Sequence, residues 1–298
     1  MKLISGSSNK PLANNIAQKL NLEICDIEIA KFVNGEKKVV INDSLRGENV
    51  CLVQSFSNPV DENIIEFLLI VDALKRMGVR HINLALPWMG YSLQDKVFTN
   101  GSPISAKVVA DLISNSDVKR IFLLDLHNTS IPGFFSIPAH HDTAMDIFVK
   151  YAKENYNHEE LIVVSPDFGG LKRARVFADN LNLDLANIDK HRDYKTGQVT
   201  PVGISGNVEN KVCLIYDDVI NTGGTVVETA KYLKNKGAKE VHFLVTHGIF
   251  AKDGLKLMEN ENIDSVVITN SIQHDLLPAR VKVLDCASIF AENLKKWI

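Results

Sequence analysis

The chain has 298 residues, with 33 Lys or Arg and 36 Asp or Glu, and its formal net charge is −3 at neutral pH. This length is about twice that of a usual domain, so we expect two domains, each with its own core. The small net charge excludes the strongly basic surface typical of nucleic-acid or membrane-surface binding. Anionic ligands must therefore be held by local groups.

The cysteines and the apolar runs indicate the class of protein. Cys25, Cys51, Cys213 and Cys286 lie far apart and lack C-x-x-C spacing, so we interpret them as buried reduced thiols rather than disulfides or metal ligands. No signal peptide is recognised before the first strand, and no apolar run approaches membrane length. We expect a cytoplasmic, soluble protein that binds neither nucleic acid nor membrane.

The first elements of the chain alternate between strand and helix signals. Residues 2–5 predict a short strand, and Pro11 to Leu20 a helix with proline at its start. Asn34 and Gly35 stand in the segment F-V-N-G-E between two strand-like runs, a pattern typical of a β-hairpin. A plain hairpin is the simplest interpretation of that segment considered alone.

An internal repeat starts at Asn49. A strand with the sequence N-V-C-L-V is followed by a predicted helix from Asp61 to Met77 and a further strand from Ile82 to Leu86. The same order returns with the strand K-V-C-L-I, which ends at Ile215, and a helix predicted from Val226. We infer two similar domains with βαβ units, limited to residues 1–142 and 143–298.

Polar segments follow two strands of the first half. One is the segment from Pro87 to Lys96, and the other is Asp125-Leu126-His127, after a strand from Arg120 to Leu124. A lone histidine after a strand is more often structural than a ligand. Asp125, two residues before His127, favours a Mg²⁺ or phosphate contact.

The second half carries a third acid at a strand end and a polar loop. Asp167 follows the strand from Leu161 to Ser165, and a helix is predicted from Leu171. The segment from Asp189 to Gln198 has three cationic residues and no apolar period, so it reads as a mobile loop. A solvated hairpin is the alternative.

The stretch from Cys213 to Thr225, C-L-I-Y-D-D-V-I-N-T-G-G-T, combines the features of a ligand pocket. Its apolar start predicts a buried parallel strand that ends at Asp217 and Asp218. The glycines and hydroxyls that follow open a helix, where backbone N–H groups and the helix dipole favour phosphate. The acids could bind vicinal sugar hydroxyls, directly or through Mg²⁺. We interpret the stretch as a sugar-phosphate pocket, with an ordinary glycine turn as the alternative.

This stretch resembles the ribose-5-phosphate loop of type I phosphoribosyltransferases and of ribose-phosphate pyrophosphokinases. Further blocks along the chain resemble the pyrophosphokinases specifically, among them F-V-N-G-E, S-L-R-G-E-N-V-C-L-V-Q, P-I-S-A-K-V-V-A-D, D-L-H, G-F-F and T-H-G-I-F. The resemblance implies an α/β fold with two phosphoribosyltransferase-like (Rossmann-like) domains, each a mainly parallel sheet flanked by helices. The final helix, predicted from Ala287 to Trp297, is a candidate to pack back on the first domain.

The resemblance implies transfer of the pyrophosphoryl group of ATP to the anomeric hydroxyl of ribose 5-phosphate, giving phosphoribosyl pyrophosphate and AMP. It places ribose 5-phosphate on Arg192, Asp217, Asp218, Asn221, Thr222, Gly223, Gly224 and Thr225. It places ATP on Phe32, Asn34, Gly35, Glu36, Gln94, Asp95 and Lys96, with Phe32 available to stack on adenine. It places Mg²⁺ on His127 and Asp167, and the catalytic role on Lys190 and Arg192.

Three departures from the family pattern bear on these expectations. Leu93 stands where the family usually has an arginine that contacts phosphate, and Asn221 replaces the usual aspartate. The segment from Val97 to Ser102 lacks the usual basic residues, and the chain ends at Ile298 without a serine-bearing tail. We therefore expect little activation by free phosphate and weak inhibition by ADP.

Two other functions compete with the pyrophosphokinase. One is a non-catalytic paralogue that binds ribose phosphate or nucleotide as a regulatory partner, motivated by Leu93. The other is a phosphoribosyltransferase, for which we find no base-binding pocket. The resemblance also implies self-association, as dimers or hexamers.

Overall fold

The structure, a computed structural model, describes residues 1–192 and 199–297, without the side chains of residues 191, 192 and 199–201. The strands are β1 (Lys2–Ser5), β2 (Ile27–Lys31), β3 (Lys37–Ile41), β4 (Asn49–Val53), β5 (His81–Leu86), β6 (Val118–Leu124), β7 (Ala139–Asp142), β8 (Leu161–Ser165), β9 (Leu185–Arg192), β10 (Val199–Ser205), β11 (Val212–Ile220), β12 (Glu240–Gly248), β13 (Ser265–Thr269) and β14 (Val281–Leu284). The helices are α1 (Lys10–Leu20), α2 (Val60–Met77), α3 (Ser105–Ser114), α4 (Met145–Asn155), α5 (Leu171–Leu181), α6 (Gly224–Asn235), α7 (Gly254–Leu257) and α8 (Ala287–Leu294).

The first compact unit, called unit 1 below, comprises Met1–Thr143, Asn270–Gln273 and Asp285–Ile298. Its five-stranded sheet is parallel and has the order β1-β4-β5-β6-β7, which follows the order of these strands along the chain. Strands β2 and β3 pair separately as an antiparallel hairpin, so the hairpin predicted at Asn34 and Gly35 is confirmed. Helix α8 contacts α1 within this unit.

The second compact unit, unit 2, comprises Ala144–Thr269 and His274–Leu284. Its seven-stranded sheet has the order β10-β9-β8-β11-β12-β13-β14, and every neighbouring pair is parallel except β9 with β10. After β8 the chain adds β9 on one side of it, and then returns to place β11 on the other side. The strand order therefore reverses between β8 and β11.

Each unit has a core of apolar side chains from its own sheet and helices. The central strands β4 and β11 are buried over most of their length, as expected for parallel strands covered on both faces. Local signals set the helix limits. Asn9 caps α1 by accepting a 3.2 Å bond from the Leu12 N–H, and Asn21 ends the helix in the left-handed conformation. None of the helices in the described ranges combines the length and apolar character of a membrane span.

The predicted α/β architecture with mainly parallel sheets is confirmed, and three predicted limits were wrong. Strand β11 continues past the two acids to Ile220, because its backbone stays paired with β12 up to Gly248. Helix α6 begins at Gly224 rather than Val226. Residues 189–192, predicted as loop, belong to β9, because pairing with β10 sustains a strand without apolar alternation. Residues 193–198 of the predicted loop lie outside the described residues.

Candidate functional site

The carboxyl ends of β8 and β11 meet at the point where the strand order of unit 2 reverses. The register pairs β8 with β11 from Val212 to Leu214, and these two strands do not pair further toward Ile220. The last part of β11 therefore has an open edge on the side of β8. Ligands of open α/β sheets bind in the crevice at such a switch point. Asp167, Asp217 and Asp218 all lie at this end of the sheet.

A guanidinium group binds both acids of β11. Arg173, in the first turn of α5, donates from Nη1 to Oδ1 of Asp218 at 2.7 Å and also to Oδ1 of Asp217. The Asp217 Oδ1 atom accepts a second bond, at 2.9 Å, from the Asp218 N–H. The side chain of Asp218 is 5% exposed and that of Asp217 is 31% exposed, so one acid is buried and the other reaches solvent.

The Asp217 carboxyl has a pKa raised to about 7. Loss of hydration around this partly buried carboxyl is the main cause, because it penalises the charged form, and the neighbouring Asp218 carboxylate adds to it. The Arg173 guanidinium acts in the opposite direction and lowers the pKa. Asp217 consequently changes its charge in the neutral range, and cations or hydroxyl donors at this point favour its ionised form.

The segment between β11 and α6 forms an open loop of small residues. Gly223 adopts φ +82°, a left-handed conformation, and a Cβ there would lie 2.7 Å from Cε of Met258. A Cβ at Gly224 would meet no protein atom within 4 Å. Asn221, Thr222 and Thr225 are exposed. Since a glycine N-cap offers no side-chain acceptor, the first N–H groups of α6 are suited to bind phosphate.

The backbone of this loop is supported by the segment after β12. The Ile249 N–H donates to the Ile220 carbonyl at 2.9 Å, and the Ala251 N–H donates to the Asn221 carbonyl at 2.8 Å. The first donor belongs to the T-H-G-I-F block of the sequence, and the second directly follows the last residue of that block, Phe250. The loop is thereby fixed before any ligand binds, which reduces the cost of ordering it.

Lys190 lies in β9 of the same unit. Its Nζ atom is 3.5 Å from Oγ1 of the buried Thr229 on α6. Burial lowers the pKa of the Lys190 ammonium, while the carboxylates of Asp167, Glu228 and Asp217 oppose that shift. Arg192, two residues further along the chain, is the last residue of β9.

Asp167 has a local structural bond as well as a position at the sheet edge. Its Oδ1 atom accepts a 2.9 Å bond from the Gly170 N–H, immediately before α5, and Ser165 donates to its carbonyl at 2.7 Å. The side chain is half-buried. The turn thus orients the carboxylate toward the start of α5.

The residues predicted to contact ATP are on two segments of unit 1. The turn between β2 and β3 exposes Phe32, Asn34, Gly35 and Glu36, and the ring of Phe32 is 52% exposed. Gly35 has φ +89°, which makes glycine the residue suited to this turn. The turn is closed by a 2.8 Å bond from the Phe32 N–H to the Glu36 carbonyl. An exposed aromatic ring at a hairpin tip is available for stacking.

The second segment connects β5 with α3. Gln94 accepts a 2.7 Å bond at Oε1 from the Ser105 hydroxyl, and Lys96 lies 5.3 Å from the centre of the Phe98 ring. Asp95 accepts a 2.6 Å bond from the side-chain amide of Asn128. Because Asn128 follows His127 directly, this bond brings the segment 94–96 next to the D-L-H block.

The residues present fit Mg²⁺ as a metal shared with a substrate. Within residues 1–192 and 199–297, no three His, Cys, Asp or Glu side chains form a cluster that could hold a metal alone. Mg²⁺ is commonly bound through one or two carboxylates, with water and substrate phosphates as its other ligands. The half-buried Asp167, two residues after the end of β8, is an oxygen donor of that kind.

Sequence reasoning missed three residues of this region. Arg173, Glu228 and Thr229 lie on helices, where a predicted helix gives no reason to single out one polar residue. Their position in the first two turns of α5 and α6 was the available signal, because those turns follow strand ends at the ligand-binding edge.

Comparison with known proteins adds the family. The sequence profile of the N-terminal domain of ribose phosphate pyrophosphokinase matches residues 1–116, and that of the phosphoribosyl synthetase-associated domain matches residues 193–298. A ribose-phosphate pyrophosphokinase of Thermotoga maritima is 41% identical over 298 residues, which cover 99% of this chain and 94% of the relative. The chain belongs to the ribose-phosphate pyrophosphokinase family.

Other members of the ribose-phosphate pyrophosphokinase family match over the same extent. That of Aquifex aeolicus is 39% identical over 99% of this chain and 95% of its own length. The crystal structure of phosphoribosylpyrophosphate synthetase from Mycobacterium smegmatis superposes with a TM-score of 0.92 at 32% identity, covering 99% of this chain and 98% of the other. The predicted family and its two-domain α/β fold are confirmed.

Proposed function

We propose that this protein is a Mg²⁺-dependent ribose-phosphate pyrophosphokinase. It transfers the β,γ-pyrophosphoryl group of ATP to the anomeric hydroxyl of ribose 5-phosphate and releases AMP. One observation carries this proposal beyond the family likeness: a pair of acids held by Arg173 lies on the strand that leads into an open glycine loop at the start of α6. Phosphate binding and hydroxyl binding are thereby combined in one unit.

The loop of residues 221–225 binds the 5-phosphate in this proposal. The empty space around Gly224 admits a phosphate to the first N–H groups of α6, and the hydroxyls of Thr222 and Thr225 add donors. Asp217 and Asp218 accept hydrogen bonds from the two ring hydroxyls. These contacts fix the sugar so that its anomeric oxygen stays at one position relative to the scaffold.

ATP binds through unit 1 in this proposal. Phe32 stacks on adenine, and Asn34, Gly35 and Glu36 offer polar groups at the same turn, in keeping with their exposure. Gln94, Asp95 and Lys96 form the second set of contacts, with Lys96 as the cation for phosphate. Their support is the bond between Asp95 and Asn128, which holds this segment in place.

Mg²⁺ contacts are assigned to His127 and Asp167. When bound, the ion supplies positive charge that neutralises the phosphate oxygens of ATP. The exposed position of His127 in unit 1 and the half-buried carboxylate of Asp167 in unit 2 are each compatible with a ligand that contacts Mg²⁺ together with substrate and water.

Lys190 and Arg192 provide cationic stabilisation of the transferred group. In the reaction the anomeric hydroxyl forms a bond to the β-phosphorus through its oxygen and releases its proton to solvent. The bond from that phosphorus to the α-phosphate oxygen breaks, and AMP leaves with the electron pair. Negative charge spreads over the phosphoryl oxygens meanwhile. A cation fixed near them lowers the barrier more than it would in water, and the partial burial of Lys190 supports this role.

The decisive experiment measures AMP release from ATP and Mg²⁺, with and without ribose 5-phosphate. We expect AMP to depend on the sugar phosphate, and Lys190→Ala to reduce its rate by about 100-fold or more. Lys231→Ala, which removes an exposed lysine of α6, is the control and should keep full activity. Binding of ribose 5-phosphate without any AMP would contradict the proposal and favour the regulatory paralogue.

We further propose that the enzyme acts in the cytoplasm and self-associates. The four cysteines are buried thiols, which suits a reducing compartment. A groove of about 380 Å³ between α2 and α3 exposes apolar side chains, with Ile65 and Val108 each about half exposed. A second copy of the chain is the occupant we assign to this face. Sedimentation analysis of Val108→Glu tests it, because loss of the oligomer is expected.

A further inference from the structure

The proposed reaction does not by itself explain the position of Arg173 in unit 2. Its guanidinium binds Asp217 and Asp218 through a single nitrogen, Nη1, and one oxygen of each acid. The side chain is 25% exposed. The contact joins α5 to the end of β11 across 44 and 45 residues of sequence.

The geometry of a regular strand would not by itself bring one guanidinium to two successive side chains. Successive side chains of a strand point to opposite faces of the sheet, so Asp217 and Asp218 should diverge. Burial along the end of β11 does alternate, with Asp217 and Val219 more exposed than Asp218 and Ile220. Arg173 nevertheless contacts both acids, because β8 has ended its pairing at Leu214 and leaves this edge of β11 open.

The helix itself does not favour an arginine at this place. Arg173 is the third residue of α5, and positive charge near a helix N-terminus is opposed by the helix dipole. No acid of the same helical turn compensates it. The two acids of β11 therefore stabilise the guanidinium. The guanidinium in turn offsets the electrostatic repulsion between the two carboxylates.

We propose that Arg173 is a positioning residue that holds Asp217 and Asp218 as a matched pair of acceptors for two vicinal hydroxyls, and so sets the preference for ribose over deoxyribose phosphates. The inference rests on the proposed function, since ribose 5-phosphate must be the sugar bound here. The guanidinium takes one oxygen of each acid, and the hydroxyls of the sugar bind on the side away from α5. Pre-positioned acceptors bind a diol without reorganisation, and a sugar lacking one hydroxyl leaves an acceptor unpaired.

The charged groups around the pair give the expected pH behaviour. Asp217 faces Asp218 on its own strand, Arg173 on α5 and Lys190 on β9. Tyr216 lies near Arg173 as well, on the same strand as the acids. Because the guanidinium lowers the pKa of Asp217, its removal raises that pKa, and more acid stays protonated near neutral pH.

The test compares kcat/KM for ribose 5-phosphate and 2-deoxyribose 5-phosphate in the wild type, Arg173→Gln, Arg173→Lys and the control Arg175→Gln. Arg175 is an exposed arginine two residues further along α5. We expect the wild type to prefer the ribose compound by at least about 100-fold. In Arg173→Gln this ratio should fall by about tenfold, with the acid limb of the pH profile moved to higher pH. Arg173→Lys keeps the charge and should show an intermediate ratio, and Arg175→Gln the wild-type ratio.

A purely structural role would lower activity toward both sugars equally. An unchanged ratio in folded Arg173→Gln and Arg173→Lys would overturn the inference. If the glutamine variant does not fold, the lysine variant decides by the same criterion. If the wild type releases no AMP, the proposed function fails instead. In that case the affinities of the same variants for the two sugars are measured by calorimetry. A tenfold loss of preference for the ribose compound in Arg173→Gln still supports the positioning role of Arg173, and an unchanged preference overturns it.

Discussion

The two units share a strand-loop-helix arrangement but differ in how the loop is filled. In unit 1 the residues after β4, from Gln54 to Ser57, are all buried and bonded to the unit's own groups; Ser55, for example, donates to the Ser271 carbonyl at 2.6 Å. In unit 2 the residues after β11 are largely exposed at Asn221, Thr222 and Thr225. The same topology therefore yields strand ends whose polar groups are bonded within the unit in unit 1, called the closed edge below. In unit 2 it yields strand ends that reach solvent, called the open edge.

The space around a Cβ atom built at selected glycines quantifies this difference between the two units. In unit 1 a Cβ added at Gly6 would lie 2.0 Å from Oε1 of Gln54, and one at Gly90 would lie 2.6 Å from the Phe56 carbonyl. In unit 2 a Cβ at Gly224 would meet nothing within 4 Å. Glycine allows protein atoms to approach in the first case, and leaves room for a ligand in the second.

Acids are used differently as well. Glu66 of unit 1 is fully buried and accepts bonds from the Ser7 N–H and hydroxyl, the Gln54 amide and the Lys37 ammonium, at 2.6 to 3.0 Å. The acids of β11 are bound by one arginine at an edge that reaches solvent. A ligand site in this fold thus depends on whether the unit's own side chains complete the polar contacts at the strand ends.

The largest effect on stability is expected from removing Glu66, which completes the polar contacts at the closed edge of unit 1. Glu66→Ala leaves the Lys37 ammonium, which is 12% exposed, without its buried partner, so the free energy of unfolding should fall by about 3–5 kcal/mol. Urea denaturation measures it. Glu62→Ala on the same helix removes an exposed carboxylate that lies 2.8 Å from Lys31 and 3.8 Å from Lys37, and it should cost much less stability because solvent screens these pairs. Equal losses in the two variants would break the comparison between the units.

Closing the open edge should remove binding rather than stability. In Gly224→Ala the new methyl group occupies the space assigned to phosphate, and the affinity for ribose 5-phosphate should fall about 10- to 100-fold, by calorimetry. Stability should stay equal or rise slightly, because alanine favours helix more than glycine does.

Gly90→Ala is the counterpart in unit 1. Its Cβ would overlap the Phe56 carbonyl and Cγ1 of Val60, so a loss of about 1–3 kcal/mol in stability is expected. A stable Gly90→Ala protein, or a Gly224→Ala protein that unfolds, would contradict the assignment of closed and open edges.

The acid pair of unit 2 should make sugar binding depend on pH. An ionised Asp217 accepts a hydroxyl more strongly than a protonated one, because a charged acceptor makes the stronger hydrogen bond. Since desolvation raises the pKa of Asp217 to about 7, affinity for ribose 5-phosphate should fall as the pH decreases below 7, by about tenfold at most. Asp218→Asn removes a charge that raises this pKa, and should move the decrease to lower pH. The wild type and Asp218→Asn bind the same ligand, so a difference between their pH titrations comes from a group of the protein. Identical titration curves would refute the assignment of the decrease to Asp217.

The smallest effect concerns unit 1, whose predicted ATP contacts are outside its closed edge. Leu93 is half-buried beside Gln94, at the position where the family usually has arginine. Leu93→Arg should lower the KM for ATP by about three- to tenfold by adding a charged contact to phosphate. The KM for ribose 5-phosphate, measured in the same assay, should not change. A shift in both constants would point to an indirect structural effect.

Local chain chemistry made much of this predictable. Strand, turn and helix signals predicted α1 and α2 within a residue of their observed starts, and β8 with its observed limits. The D-D and T-G-G-T segments indicated the phosphate loop, because a strand that runs into glycines and a helix is a property of consecutive residues. The extension of β9 through Arg192 was not predictable in this way, since it depends on pairing with β10.

The sequence by itself determined the family, and it predicted which segments bind the substrates: the acids and glycines at the end of one strand and the hairpin at Phe32. The tertiary structure alone decided how these groups are completed. It brought Arg173 to two acids 44 and 45 residues away in unit 2, and Glu66 to Ser7 across 59 residues in unit 1. Such contacts follow from strand order and from where pairing between strands ends, and neither is encoded in the local periodicity of the chain.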